Sequence, residues 1–219
     1  KNKLQLSNTE EIVYKQLIVC PGLVLDWGAI EGLEATLGKN GVTSNYRHDL
    51  ATYTWQLVNE LKSGKAIFTQ PAMPIKCAGA PQKALYLSAD YWLKSNVLNR
   101  IELHFFNAGK VLFGVAEYIP ALQKYMKKYR AHNHYGYQLY KIDGMQKLAY
   151  FKSLDGNHED KLIARFDMIH VCPPQIPPGF VSNCALSDQA GWLDVHPNTL
   201  QHKRFSNIWG VGDIMNTPN

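Results

Sequence analysis

The sequence predicts an α/β protein with a Rossmann-like parallel sheet, flanking helices and an attached β-hairpin or meander. Three observations carry this. Between residues 65 and 126 the pattern runs strand, helix, strand, helix, the order in which crossover helices build a parallel sheet. Asp143-Gly144 sits between two alternating segments as a hairpin turn. Several apolar runs stop at Pro or Gly, which end regular structure.

Taken in order, residues 3–6 alternate and Ile12-Val13 leads into residues 16–19, so residues 1–19 read as strands closed by Cys20-Pro21-Gly22. A loop with Trp27, Gly28 and Gly32 follows. Residues 48–62 put Leu50, Trp55, Val58 and Leu61 on roughly one helical face. Residues 65–69 form a short buried strand, and a loop rich in Pro, Ala and Gly follows from Gln70 to Pro81. Pro81 suits the first turn of the next helix, which offers Leu85, Ala89, Trp92 and Leu93 for burial. Residues 101–106 are a second strand, and the helix after them passes through Val115, Ile119, Leu122 and Met126. Residues 135–151 turn hairpin-like. Residues 166–171 read as a buried strand stopped by Cys172-Pro173-Pro174, and a last strand-like segment begins at Asn207.

At 219 residues, 46% of them apolar and 19% charged, the chain can bury a substantial core and is not a disordered protein. No apolar run approaches the ~18 residues of a membrane span. The start, Lys-Asn-Lys, has neither an initiator Met nor a signal-peptide core, which predicts an internal piece of a longer protein. The net charge of +5 is mild, and Lys124, Lys127, Lys128 and Arg130 read as a solvated helix face. No nucleic-acid module is recognisable, so nucleic acid is not an expected partner.

The cysteines, Cys20, Cys77, Cys172 and Cys184, form no CxxC pair and match no zinc spacing, which suggests a reducing compartment. Cys77 is the best candidate for chemistry. It lies in the loop before a helix, where exposed amides and the neighbouring Lys76 draw a thiol toward thiolate. Small Ala78, Gly79 and Ala80 allow close approach, although an inert Cys in a tight turn reads equally well. Where a dinucleotide-binding turn would carry GxGxxG, residues 71–81 hold prolines, Lys76 and Cys77 in the space a pyrophosphate would need and only one Gly, so NAD(P) is disfavoured there. Cys20 and Cys172 each end a strand just before Pro and read first as small buried hydrophobes at chain crossings. His132 and His134 share a strand face without a third ligand, so no metal site is expected. Tyr118, Tyr125 and Tyr129 read as packing.

Residues 66–83, with Phe68-Thr69, Pro71, Pro74 and Lys76-Cys77-Ala-Gly-Ala-Pro-Gln-Lys83, resemble almost position for position the FTxPxxPxKCAGAPQK segment of the sulfide:quinone oxidoreductases. The resemblance is to the branch that includes the mitochondrial enzyme. Residues 188–195 and 199–204 look like the same family, and Gly210-Val-Gly-Asp213 is similar to the GxGD segment of flavoproteins with two dinucleotide domains. Residues 25–28 and 41–46 also look like it.

This resemblance implies a flavoprotein of the pyridine nucleotide–disulfide oxidoreductase superfamily. Its members oxidise sulfide through a cysteine persulfide, pass electrons through FAD to a quinone, and yield the sulfur to an acceptor thiol or sulfite. They sit peripherally on a bacterial inner membrane or the mitochondrial inner membrane. Cys77 matches the persulfide cysteine and Asp213 the carboxylate that contacts the flavin's ribityl chain. Pro21 and Gly22 stand at the hinge and Gly212 in the GxGD segment, all implied to line the cofactor. The implied organisation is residues 1–25 as the end of an FAD domain, 26–170 as an NADH-domain-like Rossmann domain, and 171–219 as a second hinge and partial return. Remnants of a flavin domain at both ends imply weak FAD binding, a soluble piece, and little activity alone. The family's partner cysteine directly after GxGD is Ile214 here, so either another thiol serves, with Cys172 the best substitute within this chain, or the sulfur relay differs. A related flavoprotein (sulfide dehydrogenase or NADH:quinone type) and a non-catalytic module that keeps the fold are the competing readings.

Overall fold

A computed structural model describes residues 2–154, 156 and 161–217. The chain forms two compact units, one of Leu25–Pro174 and one of Lys1–Val24 with Gln175–Asn219. In chain order the strands are β1 (Lys3–Gln5), β2 (Glu11–Val13), β3 (Leu17–Val19), β4 (Val24–Leu25), β5 (Val42–Thr43), β6 (Gly64–Gln70), β7 (Ile101–Asn107), β8 (His132–Tyr135), β9 (Tyr137–Asp143), β10 (Leu148–Ser153), β11 (Lys161–Arg165), β12 (Met168–His170), β13 (Gln175–Ile176) and β14 (Ile208–Gly210). The helices are α1 (Leu33–Thr36), α2 (Ala51–Glu60), α3 (Ala80–Lys94), α4 (Ile119–Lys128) and α5 (Gly179–Ser182).

The larger unit is built on a five-stranded parallel sheet in the order β5-β12-β6-β7-β8, as the strand–helix alternation predicts. β6 lies at its centre, and every residue from Ala66 to Gln70 is buried, which suits a parallel strand covered on both faces. One core packs Phe68, Leu85, Ala89, Trp92, Leu103, Phe105 and Met126. A second packs Ile67, Phe106, Phe151, Phe166 and Ile169. The hairpin reading holds: β9, β10 and β11 form an antiparallel sheet in the order β11-β10-β9.

Several readings of burial change. Trp55 is 54% exposed and Leu93 is 38% exposed. At about 100° per residue, Trp55 stands about 140° from Leu50, and Thr54 takes the inward place. The Thr54 hydroxyl lies 2.7 Å from that of Thr43, and Trp55 packs edge-on to Tyr91 instead. Leu93 stands at the rim of the α3 stripe set by Leu85, Ala89 and Trp92. Val115 precedes α4 and is exposed, so only Met126 of that set is fully buried. Among the three tyrosines, Tyr129 packs inside while Tyr118 and Tyr125 are exposed. Lys124, Lys127, Lys128 and Arg130 are solvated. Strands β4, β5 and β13 and helices α1 and α5 are too short to leave a periodic signal and were not anticipated, and neither was β11.

The expectation for His132 and His134 omitted His104, which β7 brings beside them. His104 Nδ1 lies 2.9 Å from His134 Nε2, and both partners stack on the His104 ring, with centroids 5.0 Å (His132) and 5.2 Å (His134) away. Among the described residues no group of three or more His, Cys, Asp or Glu is placed to hold a metal ion. A hydrogen bond between two imidazoles requires one of them neutral. Burial, then the neighbouring His134, Lys65 and His132, push His104 down to about 4, and burial also lowers His134. The unfolded chain protonates the same rings near pH ~6.5. As pH falls below that value the unfolded state therefore takes up protons first, and stability is lost until about pH 4, whereas above pH 7 the histidines contribute no slope. Urea unfolding is expected to show stability lower by about 1–2 kcal/mol at pH 5 than at pH 7 from His104. His104→Gln should reduce the acid-side loss by about that amount, leaving the parts that buried His134 and His170 contribute; an unchanged slope in the variant would remove His104 as a source.

Candidate thiol site

β6 delivers its chain to the carboxyl edge of the parallel sheet, the edge where open α/β sheets bind ligands. The loop that follows is pinned rather than loose. Ile75 is buried, Ala72 N–H donates to Gln138 Oε1 at 3.2 Å, and the Gln82 amide donates to the Leu112 carbonyl at 2.6 Å. Cys77 is exposed at the end of this loop, and its carbonyl accepts from Ala80 N–H at 3.0 Å as α3 begins. Pro81 lies in the first turn of α3.

Cys172 follows β12, which is hydrogen-bonded directly to β6. Its N–H donates to Thr69 Oγ1 at 3.1 Å, and its side chain is buried. Thr69 in turn donates to the His170 carbonyl at 3.5 Å. The thiol also borders a cavity of about 10 Å³ with Thr69, Gln70 and Gln138, where the Gln70 Oε1 atom has no partner. Burial pushes the Cys172 thiol up to about 12; the Tyr46 hydroxyl pulls the other way, and a negative charge at Cys77 raises it further. The two thiols thus share one electrostatic neighbourhood at one sheet edge, an exposed sulfur and a buried one. The reading of Cys172 as buried holds, and that of Cys20 does not, because Cys20 is exposed. Cys184 is exposed as well, with its sulfur accepting from Leu186 N–H at 3.4 Å.

Tyr46, Ser44 and His170 complete the surroundings of Cys172 and were not singled out from sequence. For Ser44 and Tyr46 the signal lay only in the family-like run of residues 41–46, and His170 lay unmarked within the strand read at 166–171. Asn45 N–H donates to His170 Nε2 at 2.9 Å, and burial holds that imidazole down to about 4.

The smaller unit arranges the other predicted residues. β3 and β14 pair in parallel, with Leu17 opposite Ile208 and Val19 opposite Gly210. Val211 N–H continues the ladder to the Val19 carbonyl at 3.1 Å. Pro21 and Gly22 therefore leave the same carboxyl edge as Gly212 and Asp213. Gly22 and Gly212 adopt left-handed φ of 74° and 82°, and nothing lies within 4 Å of where a Cβ would stand on either. Pro21 and Asp213 are exposed. Ile214 is fully buried with Trp192, Leu193 and Val195, so the place of the family's partner cysteine is a core position here.

No protein-family model matches the chain. Over its whole length it is 39% identical to the mitochondrial sulfide:quinone oxidoreductase of Dictyostelium discoideum and 35% identical to that of Mus musculus, covering 48% of each. The chain thus spans about half the length of the curated relatives it matches. The sulfide:quinone oxidoreductase of Aquifex aeolicus superposes with a TM-score of 0.77 at 17% identity, covering 99% of this chain and 50% of that one. A chain of the Tetrahymena thermophila mitochondrial ATP synthase superposes with a TM-score of 0.80 at 20% identity, covering 99% of this chain and 54% of that one. At those identities the two structures speak for the fold alone. The sequence relatives speak for descent: along all its residues this chain is a homologue of the mitochondrial sulfide:quinone oxidoreductases.

Proposed function

We propose that the chain supplies the thiol chemistry of a flavoprotein that oxidises sulfide and delivers the electrons to a quinone. The observation that carries this is that exposed Cys77 and buried Cys172 follow two strands, β6 and β12, that are paired in parallel and so leave the same sheet edge. Cys77 is the sulfur-carrying residue, since only an accessible thiol can meet hydrosulfide and later an acceptor thiol or sulfite. Cys172 is the second thiol, in place of the residue that Ile214 replaces.

Pro21, Gly22, Gly212 and Asp213 fit a flavin. Two left-handed glycines leave open space at the carboxyl edge of a parallel pair, and Asp213 offers an exposed carboxylate to hydroxyl groups. FAD, when bound, supplies a two-electron acceptor. By the same reading, residues 1–25 and 171–219 serve the flavin, and 26–170 form the NADH-domain counterpart, with no nicotinamide at the glycine-poor turn. No helix among the described residues is long and apolar enough to cross a membrane. By the family resemblance, the whole protein attaches peripherally to the mitochondrial inner membrane or to a bacterial inner membrane; the relatives' names carry the word mitochondrial.

Buried Ile214 favours one rival, a module that keeps the fold without the reaction. Anaerobic sulfide added to the FAD-loaded protein separates the two. Loss of the oxidised-flavin absorbance supports sulfide oxidation, and a flavin that stays oxidised at saturating sulfide refutes it.

A further inference from the structure

We infer that Tyr46 is a positioning residue for Cys172, its hydroxyl serving as the hydrogen-bond donor that receives negative charge on the Cys172 sulfur. The inference rests on the Cys77–Cys172 reading above. Its geometric basis is the way residues 43–46 are tied to the segment that carries Cys172. Val171 N–H donates to the Thr43 carbonyl at 2.8 Å, and the Ser44 hydroxyl donates to the Val171 carbonyl at 2.6 Å. Tyr46 N–H then donates to Ser44 Oγ at 3.2 Å, and Asn45 N–H to His170 Nε2. These bonds hold residue 46 against the segment that carries Cys172. Its hydroxyl is buried and meets no partner in regular hydrogen-bonding geometry, although buried hydroxyls are rarely left so. After burial, the Cys172 thiol is the group that acts most on this hydroxyl.

A protonated thiol is a weak acceptor, and a thiolate is a strong one. The hydroxyl thus gains its partner when Cys172 becomes negative. That happens when hydrosulfide attacks Cys77 in a Cys77–Cys172 disulfide. The new S–S bond forms at Cys77, giving its persulfide; the Cys77–Cys172 bond breaks, and its electron pair leaves on the Cys172 sulfur. The exchange is balanced without an external oxidant. Burial raises the Tyr46 hydroxyl far above the usual tyrosine range, with Cys172 and Cys77 adding to the effect, so the hydroxyl donates without surrendering its proton. The ionisable groups that act on Cys172 are Tyr46 and Cys77.

The test is the rate at which methyl methanethiosulfonate, a small neutral reagent for thiolates, modifies each cysteine between pH 7 and 9.5. Residue-resolved mass spectrometry follows wild type and Tyr46→Phe. With the donor removed, the Cys172 rate should fall about tenfold while that of Cys77 stays within about twofold. A purely steric role for the ring predicts the same or faster modification of Cys172 in the variant, and either result overturns the inference. Diamide oxidation of wild type tests the reading beneath it separately. If Cys77 and Cys172 do not become linked, that reading fails whatever Tyr46→Phe does. If they link and the variant leaves the Cys172 rate unchanged, only the role of Tyr46 fails.

Discussion

Cys77→Ser should reduce the rate of sulfide-driven flavin reduction by on the order of a thousandfold or more, the scale of removing a nucleophile. A serine hydroxyl does not ionise near neutral pH and cannot hold sulfane sulfur in an S–S bond, so neither attack nor transfer has a route. The substitution is conservative for the fold. Cys77 is exposed, and the contacts that pin its loop belong to Ile75, Ala72 and Gln82. Circular dichroism and the urea midpoint should therefore match wild type, which separates lost chemistry from lost structure. Stopped-flow absorbance under anaerobic conditions gives the rate. Equal bleaching in both proteins would leave sulfide oxidation standing and remove Cys77 from its centre.

The largest stability effect is expected at Trp92. Its side chain is fully buried in the core between α3 and the parallel sheet, and its indole N–H donates to the Val58 carbonyl at 2.8 Å. Trp92→Ala removes the buried ring and leaves a cavity, at a cost of about 3–5 kcal/mol. It also strands a buried carbonyl of α2, adding about 1 kcal/mol or more. That is a large part of the ~5–15 kcal/mol that holds a typical domain folded. Trp55→Ala provides the contrast. Trp55 is mostly exposed and leans on Tyr91, and its removal should cost less than about 1 kcal/mol. Urea unfolding of the two variants checks both values, and a Trp92→Ala protein as stable as Trp55→Ala would contradict the core described here. Because α3 begins three residues after Cys77, loosening Trp92 should also blur the thiol loop and slow the reaction with sulfide.

Strand–helix alternation made the parallel sheet legible from residues 65–126, and the Asp143-Gly144 turn did the same for the hairpin between β9 and β10. Those signals are local: periodicity of burial and the stereochemistry of turn residues do not depend on distant partners. The motif at 66–83 likewise marked Cys77 before any fold was known, because a dense run of Pro, Lys, Cys and Gly is specific as a string. Burial at helix rims was less legible. Trp55 and Leu93 are apolar and lie near the buried stripe, yet which rim residue goes under is decided by what the neighbouring strand presents, here Thr43 bonded to Thr54.

The sequence by itself determined the α/β class, the order of the main elements and Cys77 as the cysteine to ask about. Only the tertiary structure decided that Cys172, 95 positions further along the chain, follows the strand paired with the one that leads to Cys77, and that residues 43–46 are bonded to the segment that carries it. It also decided that Pro21, Gly22, Gly212 and Asp213 share one edge. The reason is that a parallel sheet gathers the carboxyl ends of strands that are remote in sequence. Which ends become neighbours depends on strand order, β5-β12-β6 in one unit and the β3–β14 pair in the other, and no local pattern encodes that order.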